Sequence, residues 1–435
     1  MALFGTRDEA SIAHPLSVEN VSDEAFDNSP EGLACQAVPL ARIAQMEGTP
    51  VYVYAAHVIR RQFSVFDAAF QKHPHAVHYA LKANSTLGIL RLLHSLGSAA
   101  DANSSGEIDV ALHAGFTPNQ IVFTGVGKRT EDLAKAVSLG LKAINAESGG
   151  ELERIAAIAS APGQRATVAL RVNPDIESMS HPHISTGASR DKFGVALSEA
   201  PAICREMATR PGLRIIGIHV HIGSQIVKVA PLRCAAATAV DLAQSLMAEG
   251  LPLEYVDVGG GVGISYDDTP GLDLTEYAEA LLKEVSGSGL TLVLEPGRFI
   301  VGPAGALVSR VIDVKSHPDG RTFVVLDAGM TECLRPALYG ARHRVVSVKS
   351  RVGVDYAVDV VGPVCESSDS FGTDYKLPPM QVDDLVAILD TGAYCAAMSS
   401  NYNRRPMPAE VLVEDGAWTL VRRRQTVEAM LAQEV

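Results

Sequence analysis

Between about residues 76 and 295 the chain alternates two textures: short β-rich runs ending in polar or glycine residues, and amphipathic stretches of helical period. The runs AVHYA (76–80), SAAD (98–101), IVFT (121–124), KAIN (142–145), TVALRV (167–172), RIIGIHV (214–220), YVDV (255–258) and TLVLE (291–295) read as strands. Between them, Ser104-x-x-Glu107 and Ser148-x-x-Glu151 have capping-box spacing, and Thr130 and Thr275 sit where N-caps are expected. Gly97, Gly115 and Gly140 fall where helices should end. Ahead of the first strand, Ile59, Phe63, Phe66 and Phe70 share one helical face, and that leading helix completes an outer ring of eight.

Eight strands alternating with helices imply parallel strands joined by crossovers. The count favours a closed barrel over an open doubly wound sheet, although periodicity alone leaves closure open. After Pro296 the texture changes. LVSRVIDV, TFVVLD, HRVVSV, AVDVV and LVAIL follow one another without long helical intervals, and Asp415-Gly416 lies between alternating runs as a hairpin signal. The expected fold is α/β plus all-β: a TIM-type (β/α)8 barrel followed by a C-terminal β-sandwich or barrel-like domain. The expected division is 1–45, an N-terminal segment packing with the β domain; 46–300, the barrel; and 301–435, the β domain.

The 435 residues accommodate such a barrel, about 250 residues by itself, with a smaller domain beside it. Hydrophobic residues at 47% and charged residues at 20% exclude a disordered chain. Thirty-seven basic against 50 acidic side chains give −13, which argues against nucleic acid or an anionic membrane as the main partner. The N-terminus shows no signal-peptide pattern, and no apolar run is long enough to suggest a membrane span. Six scattered cysteines without a C-x-x-C pair fit neither a disulfide scaffold nor a zinc ribbon, so a cytosolic protein without a metal is expected.

Functional groups of a β/α barrel gather at the C-terminal ends of its strands. The first strand leads into Lys82, which in partly desolvated surroundings would have a lowered pKa and act as a nucleophile or imine former. Alone, it reads as readily as a solvated loop lysine. The sixth ends in His219-Val220-His221, whose alternation aims both rings inward, as a metal pair, as a ring stacked on a planar cofactor, or as two core histidines. The seventh ends in Gly259-Gly260-Gly261-Val262-Gly263. It fits neither G-x-G-x-x-G nor a P-loop, yet lies where this fold usually binds phosphate. The eighth ends in Glu295-Pro296-Gly297-Arg298; a buried Glu295 needs either Arg298 or a protonated ligand nitrogen. Lysine, stacking histidine, phosphate cradle and carboxylate together form the inventory for pyridoxal 5′-phosphate. A metal hydrolase would leave Lys82 and the glycine loop unused.

YALKAN (79–84), HIGSQ (221–225), GGGVG (259–263), EPGR (295–298), GPVCESSD (362–369) and GAYCAAM (392–398) resemble the alanine-racemase-fold pyridoxal-phosphate-dependent decarboxylases, over roughly residues 45 to 415. The resemblance implies that Lys82 holds the cofactor covalently, His221 stacks on its ring, Glu295 bonds its ring nitrogen, and Ser224 with Gly260, Gly261 and Gly263 holds its phosphate. Tyr394 would close over the cofactor, and Arg298, Arg335 and Tyr339 would bind substrate carboxylate. Cys365 and Glu366 would complete the site from the second subunit of a homodimer, Cys365 as proton donor and Glu366 facing the distal ammonium. The HISTGASRDKFG loop (183–194) carries Asp191 where the family commonly has serine. Ornithine-type members have aspartate after the cysteine, so Glu366 implies meso-2,6-diaminopimelate as substrate and L-lysine and CO2 as products. A decarboxylase of ornithine, arginine or D-lysine, a racemase of the same fold, and an inactive cofactor-binding protein are the alternatives.

Overall fold

The computed structural model describes residues 25–177, 186–187, 191–267, 269–349 and 353–435. Eight parallel strands, His75–Ala80, Ala99–Ala102, Ile121–Phe123, Ala143–Ala146, Ala166–Asn173, Leu213–His219, Tyr255–Asp257 and Thr291–Leu294, pair in chain order. The ring closes where Leu292, Val293 and Leu294 pair with His75, Ala76 and Val77. The leading helix Ala56–Phe70 buries Ile59, Phe63, Phe66 and Phe70, and packs Phe66 on Phe299 and Phe70 on Tyr277.

Alternation along the strands divides the barrel interior into layers. Near the strand starts, Val122, Ala143, Ala169, Ile216, Tyr255 and Val293 form a small apolar cluster separate from the main core. Two residues further along five of these strands the inward positions turn polar: Thr124, Asn145, Arg171, Asp257 and Glu295, all buried. Packing therefore plugs the bottom of the barrel and leaves ionisable groups at its mouth.

Local chemistry fixes the helix ends, with two corrections. Ser104 and Ser148 accept from the backbone N–H of Glu107 and Glu151 as expected. Thr130 and Thr275, however, lie inside their helices. The N-caps are Arg129 and Asp273, and the Asp273 carboxylate receives the N–H of Glu276. Gly115 and Gly140 end their helices with positive φ.

The second sheet is built on the long strand Gly305–Ser316, which pairs antiparallel with Thr322–Leu326, Leu385–Leu389 and Val51–Ala55. Val51–Ala55 in turn runs parallel to Ala409–Glu414, which folds back at Asp415-Gly416 onto Ala417–Arg422. Both turn residues have positive φ, 50° and 75°, the type I′ geometry that matches strand twist. Val51–Ala55 and Ser370–Leu377 are two strands that the hydropathy pattern did not single out. Ahead of them, Leu33 donates its N–H to the Val348 carbonyl and Arg42 stacks over Trp418, so residues 25–47 lie against this sheet. Among the described residues no helix is long and apolar enough to cross a membrane.

Candidate active site

The barrel mouth holds a cavity of about 250 Å³ lined by Lys82, His219, His221, Ser224, Gly261, Glu295, Arg298, Tyr339 and Tyr394. Strand geometry positions its acidic floor. Lys82 Nζ stands 3.6 Å from Asp101 Oδ2, a buried carboxylate at the end of the second strand. Burial lowers the Lys82 pKa, but the charge of Asp101, then of Tyr394 and Glu295, outweighs it. The ammonium is therefore held above its ordinary range, which corrects the expectation of a depressed lysine. Holding a cation there positions the nitrogen. Releasing its proton is then left to the arrival of an electrophile.

Glu295 is 3% exposed, and its partner is not Arg298. Its Oε2 lies 3.5 Å from His219 Nε2, while its Oε1 has no hydrogen-bond partner among the described residues. Burial opposes its charge, but the imidazole of His219, followed by the Lys82 ammonium and His221, holds Glu295 below the ordinary carboxylate range. Asp257 moves the other way, pushed well up by burial and by the charge of Glu295. One carboxylate of this pair thus carries the charge and the other the proton. A buried, ionised carboxylate bordering a cavity is the seat for a cationic N–H donor.

The walls follow from the loops after strands six to eight. Burial, then Lys82 and Arg171, depress the His221 pKa well below its ordinary value, so the ring is neutral, and its Nδ1 accepts from the N–H of Gly260 at 3.2 Å. In the glycine loop the N–H groups of Gly259, Gly260 and Gly263 are committed to Asp257, His221 and Ile226. Those of Gly261 and Val262 have no partner among the described residues, and both residues line the cavity, whereas Gly260 and Gly263 lie behind it. Glycine is needed at two points: a Cβ on Gly260 would stand 2.1 Å from the Glu295 carbonyl oxygen, and Gly261 has φ +97° with the Gly223 carbonyl 2.5 Å from its Cβ position.

Arginines dominate the other end. Arg298 Nη1 donates to Tyr266 Oη at 2.6 Å and Nη2 to Ser224 Oγ at 2.8 Å, while its Cζ lies 4.7 Å from the Tyr394 ring centroid. Tyr394, with φ 57°, is tied to the lysine loop through its N–H to the Ala83 carbonyl. Arg335 stacks 4.1 Å over Tyr266 and joins Arg298, Tyr339 and Arg342 around an adjoining cavity of about 230 Å³. Cys365 and Glu366 line neither cavity of their own chain. Both are exposed, and Glu366 Oε1 accepts from Tyr402 Oη at 2.6 Å.

Asp101, Arg171, Thr186 and Phe193 also belong to this region, although motif reading did not reach them. Arg171 pairs with Glu147 at 2.8 Å and stacks on Phe193, and Thr186 Oγ1 donates to the His221 carbonyl. Asp101 and Arg171 stand near strand ends, so a search of all eight ends would have found them. Of the HISTGASRDKFG loop, residues 183–185 and 188–190 lie outside the described residues; Asp191 lines a separate cavity with Asn173 and Asp175.

Lysine, carboxylate, neutral imidazole and free backbone N–H groups around one cavity define the class, and comparison with known proteins gives the same answer. Residues 56–302 match the family described as "Pyridoxal-dependent decarboxylase, pyridoxal binding domain". The chain is 42% identical over 403 residues to diaminopimelate decarboxylase of Neisseria meningitidis serogroup A, covering 93% of this chain and 99% of that one. It is 41% identical to the Pseudomonas aeruginosa enzyme of the same name, covering 94% and 99%. The Helicobacter pylori diaminopimelate decarboxylase complexed with L-lysine superposes with a TM-score of 0.88 at 39% identity, covering 91% and 99%. That of M. jannaschii, also with L-lysine, gives 0.90 at 32%, covering 95% and 98%. The chain belongs to the pyridoxal-dependent decarboxylases and, within them, to the diaminopimelate decarboxylase family.

Proposed function

We propose that this protein removes CO2 from meso-2,6-diaminopimelate to give L-lysine, the last step of lysine biosynthesis, with pyridoxal 5′-phosphate as cofactor. The observation that carries the reading is the pairing of a cavity with an acidic floor and an adjoining cavity rimmed by arginines. The floor fits the cofactor: Glu295, buried and ionised, lines the cavity as an acceptor for a ring N–H, and Gly261 and Val262 offer free N–H groups to a phosphate. The chemistry the cofactor supplies when bound is a sink for the electron pair left at Cα as CO2 departs.

The chain's own residues do the rest. Lys82 Nζ would hold the cofactor covalently, Glu295 would keep its ring nitrogen protonated, and the His221 ring, neutral and fixed through Gly260, would help to hold it in the cavity. Ser224 accepts from Arg298 and so keeps its own proton for the phosphate, beside Tyr394 and the N–H groups of Gly261 and Val262, while Gly260 and Gly263, their own N–H groups committed, shape the loop behind them. Arg298, Arg335 and Tyr339 bind substrate carboxylate, the distal one included.

Two roles fall to a second copy of the chain, in a homodimer with shared sites. Cys365 Sγ delivers a proton to Cα, and Glu366 faces the distal ammonium. Their exposure, away from the cavities of their own chain, supports this assignment. Six free cysteines and a biosynthetic reaction support a cytosolic location. Mass spectrometry of products after incubation with pyridoxal 5′-phosphate and each diaminopimelate stereoisomer tests the function. Lysine and CO2 from the meso isomer are expected. CO2 from ornithine, arginine or D-lysine instead, or exchange at Cα without CO2, would replace the reading with one of its relatives.

A further inference from the structure

The cysteines are scattered in sequence, yet folding brings two together. Cys333 Sγ and Cys395 Sγ stand 3.5 Å apart across 62 positions, and both residues are buried. A ring nitrogen of His343 lies within 4.8 Å of each sulfur. Arg335 Nη1 donates to His343 Nε2 at 2.6 Å, so that nitrogen is an acceptor and the ring proton sits on Nδ1, which donates to the Leu389 carbonyl at 2.8 Å. With both nitrogens engaged and a guanidinium on one of them, the cluster is a poor metal site. It is a good thiolate site. Burial raises the Cys395 pKa, but the hydrogen bond of Cys333, with the charge of Arg335, pulls it well below the ordinary thiol range, while Cys333 is pushed up.

We propose that Cys333 and Cys395 are a modification site: a hydroperoxide closes this pair to a disulfide, shifting Arg335 and Tyr394, which border the two cavities. Cys395 thiolate attacks one peroxide oxygen and becomes a sulfenic acid, while the departing hydroxide takes the proton of Cys333. The Cys333 sulfur then attacks the sulfenic sulfur, forming the S–S bond and expelling hydroxide, which solvent protonates. Two thiols and one peroxide thus give one disulfide and two waters, with two electrons passing from sulfur to oxygen. The sulfurs must close by roughly 1.5 Å to reach bonding distance. Tyr394 is a cavity wall residue adjacent to Cys395, and the Cys395 charge bears on Tyr266 and Arg298. The pair therefore lies just behind that wall, within reach of so small an oxidant. Arg335 is two residues from Cys333, so the bond would draw on its backbone. The effect on activity, unlike the disulfide itself, rests on the substrate role proposed for Arg335.

The test treats holoenzyme with hydrogen peroxide, alkylates remaining thiols under denaturing conditions and maps peptides. A Cys333–Cys395 cross-link reversed by dithiothreitol is expected. Inactivation should be at least partly reversible, and Cys333→Ala should lack the part due to the pair; Cys365 oxidises in both proteins, so the difference isolates it. Recovery of both cysteines alkylated after peroxide overturns the proposal. So does equimolar zinc that survives gel filtration and is lost in Cys333→Ala. A cross-link with identical inactivation in the two proteins would overturn the coupling to Arg335 and Tyr394. The mapping needs no turnover, so its failure is separate from failure of the functional reading.

Discussion

The two ends of the active-site cavity solve opposite electrostatic problems. At the floor, Asp101, Asp257 and Glu295 come from the ends of three strands, surround Lys82 and His219, and are all buried. At the rim, Arg298, Arg335 and Arg342 come from the last barrel turn and the β domain, and are spaced by Tyr266 and Tyr339. Of the three, Asp101 and Glu295 supply the charge that can hold a lysine ammonium and a protonated ring nitrogen, whereas guanidinium groups backed by aromatic faces hold carboxylates. The difference teaches that each end is matched to one part of the chemistry. On the proposed reading, the barrel carries the cofactor and residues that follow it supply selection at its border.

The largest effect should come from the floor. Lys82→Ala is expected to abolish turnover, a loss of about 10³-fold or more, because the covalent attachment goes with the nitrogen. Borohydride reduction followed by peptide mapping should place cofactor on Lys82 in the wild type; label on another lysine would break the assignment.

Cys365→Ala should be nearly as inactive, though for a reason lying in the other subunit. Each mixed dimer of Lys82→Ala and Cys365→Ala chains holds one intact site of two, and random exchange makes about half the dimers mixed. Mixing and refolding should therefore restore about a quarter of wild-type activity. A mixture that stays inactive, with exchange confirmed by mass tags, would return Cys365 to its own chain.

At the rim, Arg335→Ala should retain cofactor, read by absorbance, while kcat/KM falls by about 2–5 kcal/mol in transition-state stabilisation. A smaller change is expected from Asp101→Asn, which removes the anion that holds Lys82 above its ordinary range. The apoenzyme lysine should then react with an amine-specific reagent at lower pH than in the wild type; an unchanged profile would show that Asp101 does not set the charge of the floor.

The eight barrel strands were readable because one face of each alternates into the interior and each run stops at a polar or glycine residue. The same end-of-strand logic reached Lys82, His221 and Glu295, while Asp101, embedded among alanines, drew no attention. Val51–Ala55 escaped because all five of its residues are buried between two partner strands, leaving no alternation to detect. Ser370–Leu377 escaped for the opposite reason, being polar along much of its length. The helix starts at Arg129 and Asp273 were displaced to the nearby Thr130 and Thr275, whose hydroxyls suit an N-cap; Asp273 shares that chemistry and Arg129 does not. Arg298 bonds to Tyr266 and Ser224, residues 32 and 74 positions away. Such pairings, like that of Cys333 with Cys395, exist only once the chain has folded.

The claim that the floor holds the cofactor while the rim recognises a second carboxylate is tested most directly by comparing two substrates on one protein. CO2 release from meso-2,6-diaminopimelate and from D-lysine should be measured under identical conditions with saturating pyridoxal 5′-phosphate. D-lysine is meso-diaminopimelate without the carboxylate distal to the bond that breaks, so kcat/KM should favour diaminopimelate by about 30-fold or more. Equal values would contradict the account, for they would mean that the arginine rim takes no part in choosing the substrate.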